Sequence, residues 1–361
     1  MDDGSPAAAT HHVTVAGTGQ SFDVQHGDRI LAAGRRAGVW FPFECGWGSC
    51  GTCKVTLVEG ETELLFPQAP CVDPRDARRG RIVACQSTPT GDIVLKASRT
   101  PDGPAPDRAT ADHRARLVSR QELGPDIARF VFALDAPATY RPGQYAILEL
   151  APGLRRCYSM AGLPGSADVS FIAKRYPDHP GSERLFRLAA GAQIHAELPY
   201  GDMWVRDSQR PVALVAGGTG ISAILAMTRQ LAASGTAGAG AQVDGVAGAQ
   251  VDAGTGARVD AGRPVHVFFG AGARAELVCW DELAQATSRL PEGHLHGALL
   301  HPDADWNGTV GLVTEALAER LPDLADADFY VAGPPVMTDA VRALLRGHDV
   351  QLDRIRFDSF G

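Results

Sequence analysis

The 361-residue sequence lacks several features that would place a chain in a functional class at once. It has no run of the roughly 18 to 20 apolar residues that cross a bilayer, which argues against a membrane protein. Its 34 lysines and arginines are outnumbered by 42 acidic residues, and the formal net charge of −8 argues against nucleic-acid binding. The H-E-x-x-H, P-loop and G-x-S-x-G motifs are also missing, so a hydrolase is not indicated.

Length and composition set the scale of the fold. At roughly 150 residues per domain, the chain predicts two to three domains. With 45% hydrophobic and 21% charged residues, the composition is that of an ordinary globular protein. Residues 1–12 are polar, with no apolar run after a basic start, so we expect no export signal and a cytoplasmic location.

The seven cysteines are spaced in a way that indicates a metal centre. Because their number is odd, a disulfide framework is not favoured. Cys45, Cys50 and Cys53 follow a C-x4-C-x2-C pattern, and Cys85 comes after 31 further residues, which is the spacing of plant-type [2Fe–2S] ferredoxins. Two alternatives stay open: a zinc site, although zinc favours paired C-x2-C units and Cys85 has no close partner, and free buried thiols.

The residues around these cysteines fit the same interpretation. Gly46, Gly48 and Gly51 are expected to take positive φ, so that the chain can wrap tightly around a cluster and direct N–H groups at its sulfur atoms. Apolar patterns predict a strand at 13–15, a helix at 30–38, a strand at 54–59 and a pair of strands around 82–84 and 93–95. This order is typical of a ferredoxin.

A second region follows a polar, proline-rich stretch at 97–115 that predicts a linker. Its short alternating segments predict a small antiparallel barrel. Within it, Arg156 and Tyr158 of the tetrapeptide Arg156-Cys157-Tyr158-Ser159 should face one side of a strand, so that the guanidinium can bind a diphosphate while the ring packs on a flavin. The hydroxyl of Ser159 can hydrogen-bond a flavin nitrogen. Alone, the tetrapeptide is a weak signal.

A third region begins with a strand, a glycine-rich turn and a helix. The apolar run 211–216 leads into a G-x-G-x-x-A turn that begins at Gly218, an arrangement typical of dinucleotide binding. The acidic residue expected about 20 positions later is missing, because the next apolar strand, 265–269, is followed by no carboxylate before Glu276. A standard Rossmann dehydrogenase is therefore not indicated.

Two further features belong to this region. The turn Gly333-Pro334-Pro335 closes an apolar strand at 328–332, at the kind of strand end where open α/β sheets bind ligands. An alanine- and glycine-rich motif with a period of eight occurs three times within residues 240–260. Three imperfect copies are too few to bury a core, so we expect a flexible surface loop.

Taken in order, the cysteine loop, the Arg-x-Tyr-Ser tetrapeptide, the Gly-Gly-Thr-Gly turn and the Gly-Pro-Pro turn resemble the ferredoxin–NAD(P)⁺ reductase superfamily. More narrowly, the chain resembles the NADH-dependent reductase components of bacterial multicomponent oxygenases that carry an N-terminal ferredoxin domain. The resemblance implies a multidomain α+β and α/β fold. Its parts would be a β-grasp ferredoxin domain (1–98), a linker (99–112), an antiparallel β-barrel FAD-binding domain (113–207) and a parallel α/β NAD(P)H-binding domain (208–361) with a flexible insert (235–263).

The same resemblance implies site residues by position. The cluster ligands would be Cys45, Cys50, Cys53 and Cys85. The residues that hold FAD would be Arg156, Tyr158 and Ser159, with Ser182 at its phosphates and Phe360 near its ring. The residues that cradle the nicotinamide nucleotide would be Gly218, Thr219, Gly333 and Pro334. Further cofactor-binding positions would be Cys157, Ile172, Lys174, Gly217, Gly220 and Pro335. No residue is implied as a catalytic acid, base or nucleophile.

Three positions depart from the family pattern. His179 stands where relatives have the glycine of a flavin-phosphate turn, and Ala332 stands where they often have a cysteine beside the nicotinamide. Gly272 stands where many relatives have an arginine, so NADH is favoured over NADPH, with Arg274 as the residue that argues the other way.

The resemblance implies an NADH:acceptor oxidoreductase that passes electrons from NADH to FAD, then to the [2Fe–2S] cluster, and then to a partner. The expected partner is a terminal oxygenase, either a Rieske aromatic-ring dioxygenase or a diiron monooxygenase, or an intermediate ferredoxin. Alternative acceptors are a deoxysugar dehydratase and a cytochrome P450, and a non-enzymatic redox sensor is a remote alternative. Neither a nucleic acid nor a membrane is expected as a partner.

Overall fold

The computed structural model describes residues 9–43, 45–48, 50–67, 69–97, 110–237, 262–321 and 323–359. Most of the predicted linker, the repeated motif at 240–260 and Phe360 lie outside these ranges. By its contacts the chain divides into two compact units. The first unit comprises residues 1–112, 147–157 and 196–199, and the second comprises 113–146, 158–195 and 200–361. The predicted domain boundaries stay predictions.

The first unit contains a five-stranded sheet and a short two-stranded one. Its elements are β1 (Thr10–Val15), β2 (Gln20–Gln25), α1 (Ile30–Arg36), β3 (Lys54–Glu59), β4 (Thr62–Leu64), α2 (Pro74–Ala77), β5 (Arg81–Val83), β6 (Ser87–Pro89) and β7 (Ile93–Ala97). The larger sheet has the order β2-β1-β7-β3-β5, with β1 and β7 parallel. The predicted strands at 82–84 and 93–95 both exist as β5 and β7, but β3 lies between them, so they do not form a pair.

The core of this unit follows from the apolar pattern of its strands and helix. In β1, Val13 and Val15 are buried and alternate with less buried residues, as the two-residue period of a strand requires. Phe41 is fully buried beside α1, where a side chain on Gly34 would lie 2.7 Å from the Phe41 ring. The cysteine loop therefore starts just after a tightly packed residue of the core.

Seven elements follow the linker. They are β8 (Ala111–Gly124), β9 (Ile127–Leu134), β10 (Tyr145–Ala151), β11 (Leu154–Ser159), β12 (Asp168–Lys174), α3 (Pro180–Phe186) and β13 (Gln193–Tyr200). The six strands form a sheet in the order β11-β10-β13-β8-β9-β12, and β9 is antiparallel to both of its neighbours. In β9, Phe130 and Phe132 are fully buried, as the predicted alternation requires.

The last part of the second unit is a parallel sheet with helices. Its elements are β14 (Val212–Gly217), α4 (Ile221–Ala237), β15 (Val265–Ala271), α5 (Trp280–Thr287), β16 (Gly293–Leu299), β17 (Thr309–Val310), α6 (Val313–Arg320), β18 (Asp328–Gly333), α7 (Pro335–Gly347) and β19 (Ile355–Ser359). The order is β17-β16-β15-β14-β18-β19, and all five pairs of neighbouring strands are parallel. Every residue of β14 and β18 is buried, and apart from Asp328 the two strands have the continuous apolar sequences expected of central strands in a parallel sheet.

The strand order of this sheet indicates which of its edges is expected to bind ligands. The chain runs outward from β14 through β15 to β17, and then returns to the other side of β14 as β18. Strand order therefore reverses at β14 and β18, and open α/β sheets bind ligands at the carboxyl ends of such strands. In the part of the chain that is described, no helix is long and apolar enough to span a membrane.

Candidate functional site

The four predicted cluster ligands lie in two close pairs in the first unit. The N–H of Cys50 lies 3.4 Å from the sulfur of Cys45, and the thiols of Cys53 and Cys85 are hydrogen-bonded to each other. The N–H of Ala84 also donates to the carbonyl of Cys53 at 3.2 Å, which brings Cys85 next to the loop. Cys53 and Cys85 are buried, whereas Cys50 is exposed, so Cys50 marks the solvent side of this site.

The backbone of the loop has the predicted form. Gly46, Gly48 and Gly51 have φ of 64°, 99° and 75°, a region that side-chain-bearing residues rarely adopt. The N–H of Thr52 is directed at the sulfur of Cys50 at 3.4 Å. The expectation of positive φ at these glycines is therefore confirmed, and N–H groups do point at ligand sulfurs.

The short contacts between the four thiols shift their pKa values in opposite directions within each pair. The pKa of Cys50 is lowered to about 4, mainly because the Cys45 thiol donates a hydrogen bond to it, and the pKa of Cys45 is raised by the same contact. Cys85 lowers the pKa of Cys53 in the same way. Each pair thus shares one proton between two sulfur atoms, and this proton would have to leave for both sulfurs to bind iron as thiolates. The residues present fit a [2Fe–2S] cluster.

Two residues of β11 lie against the cysteine loop within the first unit. The thiol of Cys157 donates to the carbonyl of Cys45. The guanidinium of Arg156 lies 4.4 Å from the centre of the Trp47 ring, and it also donates to the carbonyl of Arg155 at 2.7 Å. The predicted grip of Arg156 on a flavin diphosphate stays a prediction.

The other residues of the tetrapeptide belong to the second unit. Tyr158 is half-buried, with its ring centre 6.3 Å from that of Phe171. The hydroxyl of Ser159 donates to a carboxylate oxygen of Asp358 at 3.0 Å. Sequence analysis missed Asp358, because the two residues lie 199 positions apart and no local pattern joins them.

Strand β12 forms two polar contacts with residues of the parallel sheet region. The Ser222 hydroxyl lies 3.3 Å from both the N–H and the carbonyl of Ile172, accepting from the first and donating to the second. The ammonium of Lys174 lies 3.4 Å from the carboxylate of Glu276. The predicted cofactor-binding residues Ile172 and Lys174 therefore contact Ser222 and Glu276, and sequence analysis did not predict either contact.

Ser182 lies in α3, the helix that follows His179. Its hydroxyl accepts the N–H of Tyr176 at 3.0 Å and donates to the carbonyl of His179 at 3.2 Å. In the described structure, Ser182 thus closes the turn at 176–182. Its predicted contact with flavin phosphates stays a prediction.

The two predicted nucleotide-binding turns are neighbours at the carboxyl edge of the parallel sheet. Gly217 ends β14, and Gly218, Thr219 and Gly220 form a 3₁₀ turn that leads into α4. A side chain on Gly220 would lie 2.0 Å from the carbonyl oxygen of Ala332 in β18, so only glycine fits there. The Gly333-Pro334-Pro335 turn follows directly at the end of β18, with Pro335 as the first residue of α7.

The local chemistry of these turns suits a dinucleotide. Helix α4 has no acidic residue in its first turn, so its free N–H groups and positive end are available to phosphates. The loop after β15 holds a carboxylate at the strand end, because that of Glu276 accepts the N–H groups of Gly272 and Ala273 at 3.0 and 3.3 Å. Glu276 thus reaches the strand end that appeared to lack an acid. Counting residues along the sequence could not predict where this carboxylate lies, because the chain turns back at 274–276.

Arg274 has a partner of its own. Its guanidinium donates to the carboxylate of Asp303 at 2.7 Å and lies 5.4 Å from the centre of the Trp306 ring. The arginine that argued for NADPH is thus engaged with a carboxylate. This contact uses Nε of Arg274 and balances part of the positive charge that a 2′-phosphate would meet there.

Comparison with known proteins identifies three family models along the chain. They are the 2Fe-2S iron-sulfur cluster binding domain (residues 13–90), the oxidoreductase FAD-binding domain (114–204) and the oxidoreductase NAD-binding domain (214–343). The predicted cofactor set and fold class are therefore confirmed.

Whole-length relatives agree with these matches. The chain is 34% identical over 357 residues to the ferredoxin–NAD(+) reductase component of the alkene monooxygenase system of Xanthobacter autotrophicus, covering 95% of this chain and 98% of the relative. It is 30% identical over 355 residues to the reductase component of phenol 2-monooxygenase from Pseudomonas sp. strain CF600, covering 95% and 93%. A solved ferredoxin reductase in carbazole 1,9a-dioxygenase superimposes with a TM-score of 0.81 at 26% identity, covering 98% and 99%. The chain belongs to the ferredoxin–NAD(P)⁺ reductase family with an N-terminal [2Fe–2S] domain, and it is an oxidoreductase that uses a nicotinamide nucleotide, FAD and the cluster.

Proposed function

We propose that this protein takes electrons from NADH and delivers them singly to the terminal component of a multicomponent oxygenase. The observation that carries the proposal is the presence of all three cofactor domains in one chain that matches oxygenase reductase components over nearly their full length. When bound, FAD supplies the conversion of a two-electron donor into one-electron steps, and the cluster carries single electrons.

The charges at the nucleotide edge support NADH rather than NADPH as donor. The carboxylate of Glu276 accepts N–H groups of the loop after β15 and shares its charge with Lys174, and an acidic residue at this strand end suits a ribose hydroxyl. The N-terminus of α4 offers N–H groups to the diphosphate. The backbone at Gly220 and the backbone at the start of the 333–335 turn lie close together, so the two turns form one continuous surface at this edge.

The residues of the flavin and cluster sites have distinct tasks in this proposal. Ser159 holds a hydroxyl at the flavin site, and Asp358 fixes the direction of that hydroxyl by accepting a hydrogen bond from it. The four cysteines hold the irons, with the exposed Cys50 on the side from which an acceptor can approach. The chain itself needs no acid, base or nucleophile for this task.

The relatives support an oxygenase as the acceptor. Two relatives that are at least 30% identical belong to an alkene and a phenol monooxygenase system, whereas a naphthalene dioxygenase/salicylate hydroxylase reductase component is 26% identical. A monooxygenase is therefore favoured over a dioxygenase, reached directly or through an intermediate ferredoxin. We also propose a cytoplasmic location, since none of the seven cysteines, all of which lie in the described residues, forms a disulfide, as is usual in a reducing compartment.

The test is a visible absorption spectrum of the purified protein under argon, before and after a small excess of NADH over the three electrons that FAD and the cluster accept together. We expect flavin and iron–sulfur bands that both bleach. Bands that bleach with NADPH but not with NADH would contradict the donor. A flavin band without iron–sulfur absorption, after anaerobic reconstitution with iron and sulfide, would contradict the assignment of the cluster ligands.

A further inference from the structure

A short basic segment lies beside the cysteine loop in the first unit. Residues 74–81, here called the basic segment, contain four arginines and a single acidic residue, Asp76. This composition is opposite in sign to the whole chain, whose formal net charge is −8. A local excess of positive charge in an acidic protein attracts anionic surfaces to one place.

The arginines of this segment are exposed, and most of them have no acidic partner. Arg75, Arg78 and Arg79 are exposed and, within the described residues, form no ion pair. Arg81 is about half exposed and lies 3.7 Å from Asp76. Exposed arginines without partners add little to the stability of a fold.

Acidic groups compensate this charge only in part. The carboxylate of Asp76 is shared with the ammonium of Lys54, at 2.6 Å, which lowers its pKa. Asp73 is exposed, and its carboxylate caps α2 by accepting the N–H of Arg75 at 2.8 Å. Two carboxylates thus face four arginines and one lysine, which leaves a net positive surface.

The basic segment is attached to the cysteine loop at two points. The N–H of Cys71, three residues before the segment, donates to the carbonyl of Gly48 at 3.0 Å. Lys54 follows the ligand Cys53 directly and reaches Asp76 inside the segment. The positive surface therefore lies next to the loop whose exposed sulfur belongs to Cys50.

We propose that the basic segment is the docking surface for the electron acceptor, and that the acceptor presents an acidic face there. This inference rests on the proposed function and adds the place and charge of the contact. An acidic protein is repelled by most of this chain and attracted by the basic segment, so it docks with its own redox centre towards Cys50. Complementary charge of this kind raises the association rate and selects the orientation.

The test uses the full-length protein with all cofactors and two protein acceptors of opposite charge, acidic cytochrome b5 and basic cytochrome c. In the variant with both Arg75→Glu and Arg79→Glu, we expect NADH-driven reduction of cytochrome b5 at low ionic strength to fall about tenfold. Reduction of cytochrome c should not fall. The corresponding glutamine variant should show a smaller loss for cytochrome b5, and added salt should reduce all these differences.

The matched control is Arg289→Glu with Arg346→Glu, two exposed arginines of the second unit that change the net charge equally. It should leave cytochrome b5 reduction near the wild-type rate. Equal losses in both double variants, or no loss in the first, would overturn the docking proposal while NADH still bleaches the protein. Failure of the wild type to reduce any acceptor would instead overturn the proposed function.

Discussion

Single residues differ sharply within the set of cluster ligands. Cys53 and Cys85 are buried in the core of the first unit, whereas Cys50 is exposed at the end of a glycine-rich loop. Replacing a buried ligand would therefore disturb the fold together with the cluster. Replacing Cys50 separates the two effects, because the loop around it contributes little to the core.

The variant Cys50→Ser should lose cluster-dependent electron transfer. We expect reduction of cytochrome c to fall at least about 100-fold, since removing a ligand costs no less than removing the groups that support one. Reduction of ferricyanide by the flavin should persist. Steady-state assays with both acceptors check this, with Cys279→Ser as control, and equal loss of both activities would contradict the order of electron transfer from flavin to cluster.

Residue contacts also show where sequence reasoning ends. The cysteine spacing and the loop glycines could be predicted because the cluster loop is local in sequence. The contact of Ser159 with Asp358 could not, because it depends on how β11 and β19 come together in the fold. Glu276 was noted in the sequence, but it was not expected to reach the end of β15. The number of intervening residues does not show that the chain turns back there.

Among the structural elements, the two turns at β14 and β18 depend on each other. Their strands are parallel neighbours, so Gly220 of one turn lies against the carbonyl of Ala332 at the end of the other. Sequence analysis predicted both turns from buried strands that end in glycine and proline. That the two turns are neighbours became clear only from the strand order, because the sequence of an apolar strand does not show which strand it pairs with.

The variant Gly220→Ala should separate these turns. An added methyl group 2.0 Å from a backbone oxygen cannot be accommodated without movement of the chain, and such overpacking costs roughly 1 to 3 kcal/mol. We expect a lower unfolding temperature and a higher KM for NADH. Gly347→Ala, where the added methyl meets nothing within 4 Å, should be nearly neutral, and similar behaviour of the two variants in thermal unfolding and NADH titrations would contradict the steric argument.

At the scale of the whole molecule, a group of histidines in β15 and β16 links stability to pH. Nδ1 of His266 lies 3.4 Å from Nε2 of His296, and the His294 ring stacks on His266 with ring centres 4.7 Å apart. Burial, together with the neighbouring imidazoles, lowers the pKa of His266 and lowers that of His296 from 6.5 to about 4. Arg320 also lowers the pKa of His296, while Glu292 acts in the opposite direction on His266.

These shifts predict weaker folding in mild acid. Below pH 6.5 the unfolded chain takes up protons on these histidines before the folded chain does, so the free energy of unfolding falls as the pH falls towards 4. The variant His296→Phe, which keeps the stacking on Phe268, should show a smaller fall of the unfolding midpoint between about pH 7 and pH 5. An unchanged fall in thermal unfolding curves would contradict this explanation.

The family and its cofactors could be predicted for the whole molecule because four motifs occur in a fixed order, and the comparisons confirm that prediction. The net charge of the sequence was less informative about function than these motifs. A net charge of −8 hides the basic segment at 74–81, since a total says nothing about where charges lie on the surface.

The direction of α4 has a practical consequence. The helix starts at the nucleotide edge and runs back across the sheet, so Ala237 at its end and Val265 at the start of β15 both belong to the opposite edge. A peptide joined directly to Ala237 or directly before Val265 therefore starts at the edge opposite the turns at 217–220 and 333–335. This junction is a suitable point for fusing a peptide tag or a surface anchor, with which the reductase could be fixed to an electrode while its nucleotide edge stays open.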